Sequence, residues 1–211
     1  MQVTIIGAGN MGRGIATRAL AGGHAVRIID NHADKAAQLA ADLVEQASGD
    51  AKPADGTAIA TSDFVVLALK YPASRQVATE HSFELAGKIV IDIANPADFA
   101  TWDPTTESGT SAAEELAAQL PEARVVKAFN TTFAATLVTG QVNGRPLDVL
   151  IAGDDTGAKD TTAQLVQSAG LHPIDVGPLR RARALEAFMI LHMSLQQNMP
   201  NPWHSAIAIL T

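Results

Sequence analysis

The sequence predicts an α/β fold, with a doubly wound, mostly parallel sheet and a further helix at the C-terminal end. Short runs rich in valine and isoleucine alternate with stretches rich in alanine and leucine, as in successive βαβ units. Two runs, Phe64–Leu69 and Lys88–Ile93, are almost continuously apolar, as strands covered on both faces are. A glycine-rich turn also joins the first predicted strand to the first predicted helix.

The alternation predicts the elements in order. We expect strands at 3–6, 26–29, 64–69, 88–93, 124–128, 147–152 and 171–174, and helices at 11–21, 34–47, 111–120, 156–169 and 179–199. Residues 48–56 carry turn-forming residues and predict a surface loop. Residues 94–111 predict a long irregular loop, a kind that is more often functional than accidental. The last helix is apolar most of the way round, which predicts burial in the core or in a subunit interface.

Composition excludes several classes of protein. The 211 residues include 15 Lys+Arg against 22 Asp+Glu, a formal net charge of −7, which argues against a nucleic-acid partner. The absence of cysteine excludes disulfides, thiolate catalysis, iron–sulfur clusters and cysteine-bound zinc. The histidines show no metal-ligand spacing, so no metal site is predicted. With no leader-like segment and no apolar run of about 18 residues, we expect a cytoplasmic protein with no membrane partner.

The glycine-rich turn is G-A-G-N-M-G at residues 7–12, a G-x-G-x-x-G pattern between strand and helix. Gly7 permits the tight turn, Gly9 lets the backbone approach a pyrophosphate, and Gly12 allows close packing. The helix N-terminus then faces the phosphate charge. The placement predicts a Rossmann-type site for a dinucleotide rather than a simple bend. The predicted cofactor-binding residues of this turn are Gly7, Gly9, Asn10, Met11 and Gly12.

Asp30 stands at the end of the second predicted strand, 18 residues beyond Gly12. A carboxylate there hydrogen-bonds the adenosine ribose of NAD and repels the 2′-phosphate of NADP. Asn31 and His32 follow, and arginine, the usual phosphate clamp, is missing. The residues therefore favour NAD, although His32 or Lys35 can still assist a phosphate. Alternatively, Asp30 only caps the next helix.

Further candidate residues follow other strands, because ligands of this fold lie outside the carboxyl ends of the strands. They are Leu69, Lys70, Tyr71 and Pro72 after one strand, Asn95 and Pro96 after another, and Asn130, Thr131 and Thr132 after a third. Their backbone and side-chain groups suit a nicotinamide carboxamide. Asn130 or Thr131 can instead cap a following helix. No acid/base constellation has a recognisable spacing, so an enzyme here would transfer a hydride by positioning.

Two charged clusters need an explanation. Asp154 and Asp155 directly precede a predicted helix, which predicts an N-cap rather than paired catalytic carboxylates. Arg180, Arg181 and Arg183 crowd the first turn of the last helix, where the helix dipole disfavours cations. They need an anionic partner, either a ligand carboxylate or phosphate or simply Glu186.

Four motifs occur in the chain in the order in which a known family of proteins has them. They are G-A-G-N-M-G at 7–12, V-V-K-A-F-N-T-T-F at 125–133, A-G-D-D at 152–155 and G-L-H-P-I-D-V-G-P-L-R-R-A-R-A-L-E-A at 170–187. Across essentially its whole length the chain resembles the NADPH-dependent coenzyme F-420 reductases, also called F-420-dependent NADP oxidoreductases. It is also similar to the nucleotide domain of the six-transmembrane metalloreductases, which reduce iron and copper through a flavin.

The resemblance implies a homodimer in which NADP lies across the switch point, with its nicotinamide against a flavin or deazaflavin. The turn at 9–12 would hold the pyrophosphate, and 70–72 would border the ribose and nicotinamide. Asn95 and Asn130 would line the nicotinamide end, and Thr132 and the segment near Trp203 would face the second ring. Asn130 and Thr132 are thus the candidate catalytic residues. One domain, 1–211, is expected, with a dinucleotide-binding core at 1–128 and an extension at 129–211 that completes the sheet and the acceptor site.

The chain departs from the F-420 reductases at two positions. They resemble Ser-Arg where this chain has Asp30-Asn31, so the family implies NADP whereas Asp30 favours NAD. They also carry histidine at the position of Asn130, and K-A-F-N-T is the form that the metalloreductases show.

The first hypothesis is an NAD(P)H-dependent oxidoreductase whose acceptor is a flavin, F-420 or another small molecule. The alternative is a non-catalytic redox-sensing module that binds the dinucleotide. An imine reductase comes last, because few residues follow the last predicted strand. The acceptor, the choice between NAD and NADP and the role of the last helix in dimerisation stay open.

Overall fold

The computed structural model describes residues 1–47 and 49–210. Its centre is an eight-stranded sheet in the order β8-β7-β6-β5-β4-β1-β2-β3. The strands are β1 Gln2–Ile6, β2 Ala25–Ile29, β3 Ala51–Pro53, β4 Phe64–Leu67, β5 Ile89–Asp92, β6 Arg124–Lys127, β7 Asp148–Gly153 and β8 His172–Gly177. Neighbouring strands are parallel except β6 and β7, which are antiparallel. The predicted Rossmann-type, mostly parallel sheet is confirmed.

Helices cover both faces of this sheet. They are α1 Asn10–Ala21, α2 Ala33–Gln46, α3 Tyr71–Glu80, α4 Ser82–Leu85, α5 Ala112–Gln119, α6 Ala134–Thr139, α7 Thr156–Ser168 and α8 Ala182–Ser194. Short 3-10 segments span Gly56–Thr61, Leu179–Arg181 and Leu195–Asn198, and two small hairpins span residues 97–104 and 141–146. Among the described residues, none of these helices is long and apolar enough to cross a membrane.

Four predictions about local structure were wrong or incomplete. Residues 51–53 form the edge strand β3 instead of lying in a loop, and Ser48, also predicted to lie in that loop, is outside the described residues. Helices α3, α4 and α6 were not predicted, because their short sequences show no helical apolar period. The predicted helix 179–199 is α8 flanked by two 3-10 segments. Within 94–111, a hairpin at 97–104 interrupts the otherwise irregular loop.

The order of the strands positions the site. Strand β1 lies between β2 and β4, so the chain winds to one side of β1 first and then to the other. The carboxyl ends of β1, β4, β5 and β6 therefore open onto the same edge of the sheet. A crevice forms at such a switch point.

Candidate functional site

The three glycines of the turn have different surroundings. Gly7 has φ +112°, and a Cβ added there would lie 2.5 Å from the Ala68 carbonyl oxygen. A Cβ on Gly12 would overlap the carbonyl oxygen of Gly7. Gly9, the N-cap of α1, has nothing within 4 Å of such a Cβ. Gly7 and Gly12 therefore permit close packing, whereas Gly9 keeps an open backbone face at the helix N-terminus, where a pyrophosphate fits.

Asp30 is bound to the turn itself. Its Oδ2 accepts a hydrogen bond from Ala8 N at 2.8 Å, and its Oδ1 accepts one from His32 N at 3.0 Å. Partial burial alone would raise the pKa of Asp30, but these two hydrogen bonds and the charge of Lys35 outweigh it and lower that pKa. Asp30 does not cap α2, whose N-cap is His32. An ionised carboxylate thus stands beside the turn, with Asn31 and His32 exposed next to it.

Asn95 and Asn130 bond to each other across the ends of β5 and β6. Asn95 Nδ2 donates to the backbone oxygen of Asn130 at 2.8 Å, and Asn130 Nδ2 donates to Asn95 Oδ1 at 2.9 Å. The backbone acceptor fixes the orientation of both amides. Asn130 Oδ1, together with the Thr131 hydroxyl oxygen, is buried without a partner among the described residues. Unpaired buried acceptors are costly, so this end of the crevice suits a ligand that donates hydrogen bonds, such as a carboxamide.

Asn130 directly follows a residue with a strained backbone. Phe129 is buried yet has φ +62°, in the left-handed region that side chains other than glycine rarely adopt. The Thr132 hydroxyl donates to the Phe129 carbonyl oxygen at 2.7 Å and helps to close this turn. Neither Asn130 nor Thr131 caps α6, because the N-cap is Phe133. With its proton engaged, the Thr132 hydroxyl can only accept from a ligand.

Two adjoining cavities open along this edge of the sheet, and they share five lining residues, which are Asn10, Met11, Ile93, Asn95 and Met193. The cavity along the glycine turn, the dinucleotide cavity, has a volume of about 560 Å³. Its predicted lining residues are Gly9, Asn10, Met11, Leu69, Lys70, Tyr71, Pro72, Asn95 and Pro96. The other, the acceptor cavity, has a volume of about 530 Å³ and includes Asn130 and Thr132 among its lining residues. Asn31 and His32 line neither cavity.

Several lining residues were missed in the sequence. Met189 and Met193 reach the cavities from α8, Phe133 precedes α6, and Phe99 comes from the hairpin at 97–104. The one signal for the methionines was the apolar circumference of the last helix. Phe133 packs edge-on against Trp203, with ring centroids 5.3 Å apart, so the C-terminal segment forms a wall of the acceptor cavity.

A buried cluster of charged side chains lies next to the site, and it was not predicted from the sequence. Lys127 Nζ donates to Asp92 Oδ2 at 2.7 Å, to Glu186 Oε1 at 2.6 Å and to the Ala94 carbonyl oxygen. All three charged side chains are buried. Burial raises the pKa of Glu186 above its ordinary value, although Lys127 and the Ala112 amide pull it down.

Among the remaining candidates, Arg183, Asp155 and Tyr71 have structural partners, whereas Arg180 and Arg181 are exposed and form no ion pair among the described residues. Arg183 binds Glu114 through two hydrogen bonds of 2.8 and 2.6 Å, so its partner is neither a ligand nor Glu186. Asp155 accepts from Ala158 N at 2.6 Å and is the N-cap of α7, as predicted. Tyr71 donates its hydroxyl to Glu115, and burial together with this carboxylate raises the pKa of Tyr71 to about 12. Tyr71 therefore stays protonated at neutral pH and lines the dinucleotide cavity as an uncharged ring.

The described residues hold no group of three His, Asp or Glu side chains that could bind a metal ion. The residues present instead fit a dinucleotide: an open backbone face at Gly9, a carboxylate beside the turn and unpaired acceptors at the far end. The site can bind and orient a flat cofactor, but it offers no neutral-pH acid/base pair.

Comparisons with known proteins identify the family of this chain. A family model described as NADP oxidoreductase coenzyme F420-dependent matches residues 2–96. The F420-dependent NADP reductase of Methanocaldococcus jannaschii is 31% identical over 207 residues, which cover 92% of each chain. The metalloreductase STEAP3 of Rattus norvegicus is 31% identical over 189 residues, but this chain spans only 36% of its length.

A solved structure shares the whole architecture. The crystal structure of a candidate F420-dependent NADP reductase from Arthrobacter sp. FB24 has a TM-score of 0.81 and 28% identity. The alignment covers 95% of this chain and 96% of that one. By its sequence similarity over nearly the full length and by its fold, the chain belongs to the F420-dependent NADP oxidoreductase family.

Proposed function

We propose that the protein is an NAD(P)H-dependent reductase that moves a hydride between a nicotinamide dinucleotide and a flat, conjugated acceptor of the flavin or deazaflavin type. The observation that carries the proposal is the pair of adjoining cavities, of about 560 and 530 Å³, which share Asn95 and Met193. One runs along the glycine turn, and the other leaves room for a second planar ligand. The loop at 94–111 borders the dinucleotide cavity without closing it, which favours an enzyme over a binding module.

In this proposal the chain holds the dinucleotide at three points. The open face at Gly9 and the N-terminus of α1 bind the pyrophosphate. Asp30 faces the adenosine ribose. Asn130 Oδ1 accepts from the carboxamide, which gives this buried oxygen the partner it lacks. The bound nicotinamide supplies the hydride.

In this proposal the acceptor cavity positions the second ring and excludes water, and its residues transfer no proton. Its walls include Phe133, Met189, Met193 and Trp203, which are apolar and exclude water from the reacting rings. Ring-to-ring hydride transfer needs the two rings at a fixed separation and little else. Asn130 in place of histidine favours a flavin over F-420. The family supports NADP, whereas the ionised Asp30 supports NAD.

The test is a titration with NADH and with NADPH, followed by nicotinamide fluorescence. FMN, FAD or F-420 is then added to the complex and the loss of nicotinamide absorbance is recorded. Binding of one dinucleotide followed by its oxidation is the expected result. Binding without oxidation by any acceptor would favour the redox-sensing module, and no binding of either dinucleotide would overturn both readings.

We also propose that the protein is a homodimer that acts in the cytoplasm. Phe188 and Leu191 lie along one side of α8, and Leu195 begins the 3-10 segment that continues it; the three side chains are 44%, 57% and 44% exposed. Their spacing places them on one stripe of the helix. A contiguous exposed apolar stripe of this kind is typical of an interface, and a second copy of this helix would cover it.

A further inference from the structure

Lys127 lies at the end of β6 with no exposed surface. Its ammonium group donates to a carboxylate oxygen of Asp92 at 2.7 Å, to one of Glu186 at 2.6 Å and to the Ala94 carbonyl oxygen at 2.5 Å. An ammonium has three N–H donors, so every one of them has an acceptor. A buried charge persists only when it is paired and hydrogen-bonded in this way. The three acceptors come from β5, from the residues that follow it, and from α8.

The cluster forms hydrogen bonds with both backbone groups of Ala94. Its carbonyl oxygen accepts from Lys127, and its N–H donates to the Asp92 Oδ1 at 3.2 Å. Asn95 is the next residue. The direction in which the chain leaves β5 toward Asn95 is therefore set by these two hydrogen bonds.

The same lysine is the last residue of strand β6, and Asn130 follows it three residues further along the chain. The Asn95–Asn130 pair depends on the relative position of the two strand ends, since Asn95 Nδ2 must reach the Asn130 backbone oxygen. Lys127 bridges those two ends through its hydrogen bond to the Ala94 carbonyl oxygen, one residue before Asn95. Displacing it would change the gap that the two amides span.

Glu186 extends the cluster to α8. Its Oε1 accepts from Lys127 and its Oε2 accepts from the Ala112 N–H of α5 at 3.1 Å. Met189 and Met193 stand about one and two turns further along α8 and line the cavities. One lysine thus connects the amide pair to the methionine wall that faces it.

We propose that Lys127 is a positioning residue that fixes the Asn95–Asn130 pair relative to α8 and so sets the place of the nicotinamide ring. The proposal rests on the proposed function, in which a dinucleotide occupies the cavity along the glycine turn. Well-packed apolar side chains often replace buried ion clusters at no loss of stability. Directional hydrogen bonds fix relative positions in a way that apolar packing does not. We therefore expect that replacing the cluster changes the position of the nicotinamide ring.

The test uses a variant in which the cluster is apolar, Lys127→Met/Asp92→Leu/Glu186→Met. Binding of NADH is compared with binding of ADP-ribose, which lacks the nicotinamide, and NADPH is compared with 2′-phospho-ADP-ribose. The ratio of the two Kd values measures what the nicotinamide contributes. We expect ADP-ribose to bind within about twofold of wild type, and the nicotinamide contribution to fall about tenfold, as for the loss of one or two well-placed hydrogen bonds.

A matched control removes a lysine–aspartate pair elsewhere, between α7 and β8. Lys159 and Asp175 are 2.8 Å apart, and the variant Lys159→Met/Asp175→Leu should leave the ratio unchanged. If the apolar variant does not fold in thermal melts, Lys127→Met/Asp92→Asn/Glu186→Gln keeps the carboxyl shapes without charge and gives the same comparison.

The outcomes separate this inference from the function on which it rests. If wild type binds the dinucleotide and the cluster variant keeps the full nicotinamide contribution, Lys127 does not position the ring and the inference is wrong. An equal loss for ADP-ribose and NADH would also overturn it, since the defect would then be general. If wild type binds neither ligand, the proposed function itself fails and the inference with it.

Discussion

The Asn130 backbone oxygen accepts a hydrogen bond from Asn95 Nδ2 at 2.8 Å, and this contact decides which atom of the Asn130 side chain stays unpaired. Asn95 must then turn its Oδ1 to Asn130 Nδ2, which leaves Asn130 Oδ1 without a partner in the part of the chain that the structure describes. The strained backbone of Phe129 holds this arrangement in place. A buried, unpaired acceptor on a residue that lines the acceptor cavity suits a hydrogen-bond donor such as a carboxamide.

The first prediction is that Asn130→Leu weakens binding of the nicotinamide end. The variant removes the acceptor and one half of the amide pair, so the Kd of NADH or NADPH should rise about tenfold, the usual result of losing one buried hydrogen bond. Isothermal titration calorimetry measures it. Asn198→Leu, at an exposed position after α8, is the control. An unchanged Kd for Asn130→Leu would show that the orphan oxygen does not serve the cofactor.

The second prediction separates the glycines of the turn. Gly9→Ala adds a methyl group to the open face, so we expect an unchanged melting temperature and a Kd for the dinucleotide roughly tenfold weaker, the scale of an overpacking cost of about 1–3 kcal/mol. Gly12→Ala should instead destabilise the fold, because its Cβ overlaps Gly7. Gly157→Ala, at an exposed position in α7, should leave the Kd unchanged. A Gly9→Ala protein that binds normally would place the pyrophosphate elsewhere.

The sequence was sufficient for the parts of the site that depend on local pattern. The turn at 7–12, the strands that surround it and the N-cap Asp155 all follow from short-range rules, and the structure has them where predicted. The edge strand β3 was missed because its three residues, Ala-Lys-Pro, lack the β-branched side chains that mark a strand.

The charge cluster could not be predicted from the spacing of residues in the sequence. Lys127 meets Asp92 and Glu186 at separations of 35 and 59 residues, and no motif connects them. One signal did exist: Asp92 ends an otherwise apolar strand, and Lys127 follows two buried valines in its own strand. Buried charges of opposite sign in two strands are expected to pair. Recognising it requires knowing that β5 and β6 are neighbours, which only the fold reveals.

The third prediction concerns the choice between NADH and NADPH. Asp30→Asn keeps an oxygen that can accept from Ala8 N, while Asp30→Ala would leave that amide unpaired. Removing the negative charge should improve NADPH binding relative to NADH by roughly tenfold, because the 2′-phosphate no longer faces a carboxylate. Paired fluorescence titrations give the ratio of Kd values, with Asp34→Asn as the control on the same surface. Equal ratios for wild type and Asp30→Asn would remove Asp30 from the adenosine pocket.

The fourth prediction tests the apolar stripe on α8. Leu191→Glu places a charge in the middle of the stripe, so a dimer formed through it should dissociate. Size-exclusion chromatography with light scattering reports the mass. Val44→Glu, at an exposed apolar position of α2, should leave the mass unchanged. A wild-type monomer, or a Leu191→Glu dimer, would mean that α8 does not join two copies.

The fifth prediction concerns His192, which holds the C-terminal segment against the acceptor cavity. Its ring packs at a tilt of 39° against Phe133, with centroids 4.7 Å apart, and its Nε2 bonds the Ser205 hydroxyl at 2.9 Å. Its Nδ1 is buried without a partner among the described residues. Burial lowers the pKa of His192 below its ordinary value of 6.5. A protonated ring would carry a second N–H with no acceptor, so the folded protein keeps His192 neutral.

The sign of the pH effect follows from linkage. The unfolded chain takes up a proton on His192 near pH 6.5, before the folded protein does, so the stability contribution is complete above that pH. It is lost as the pH falls through the lowered pKa of the folded state. The stability difference between pH 7 and pH 5 should therefore shrink in His192→Gln, which carries no titrating ring. Fluorescence of Trp203 in a Trp102→Phe background follows the segment during denaturation, and an identical pH dependence in both proteins would exclude His192 as its source.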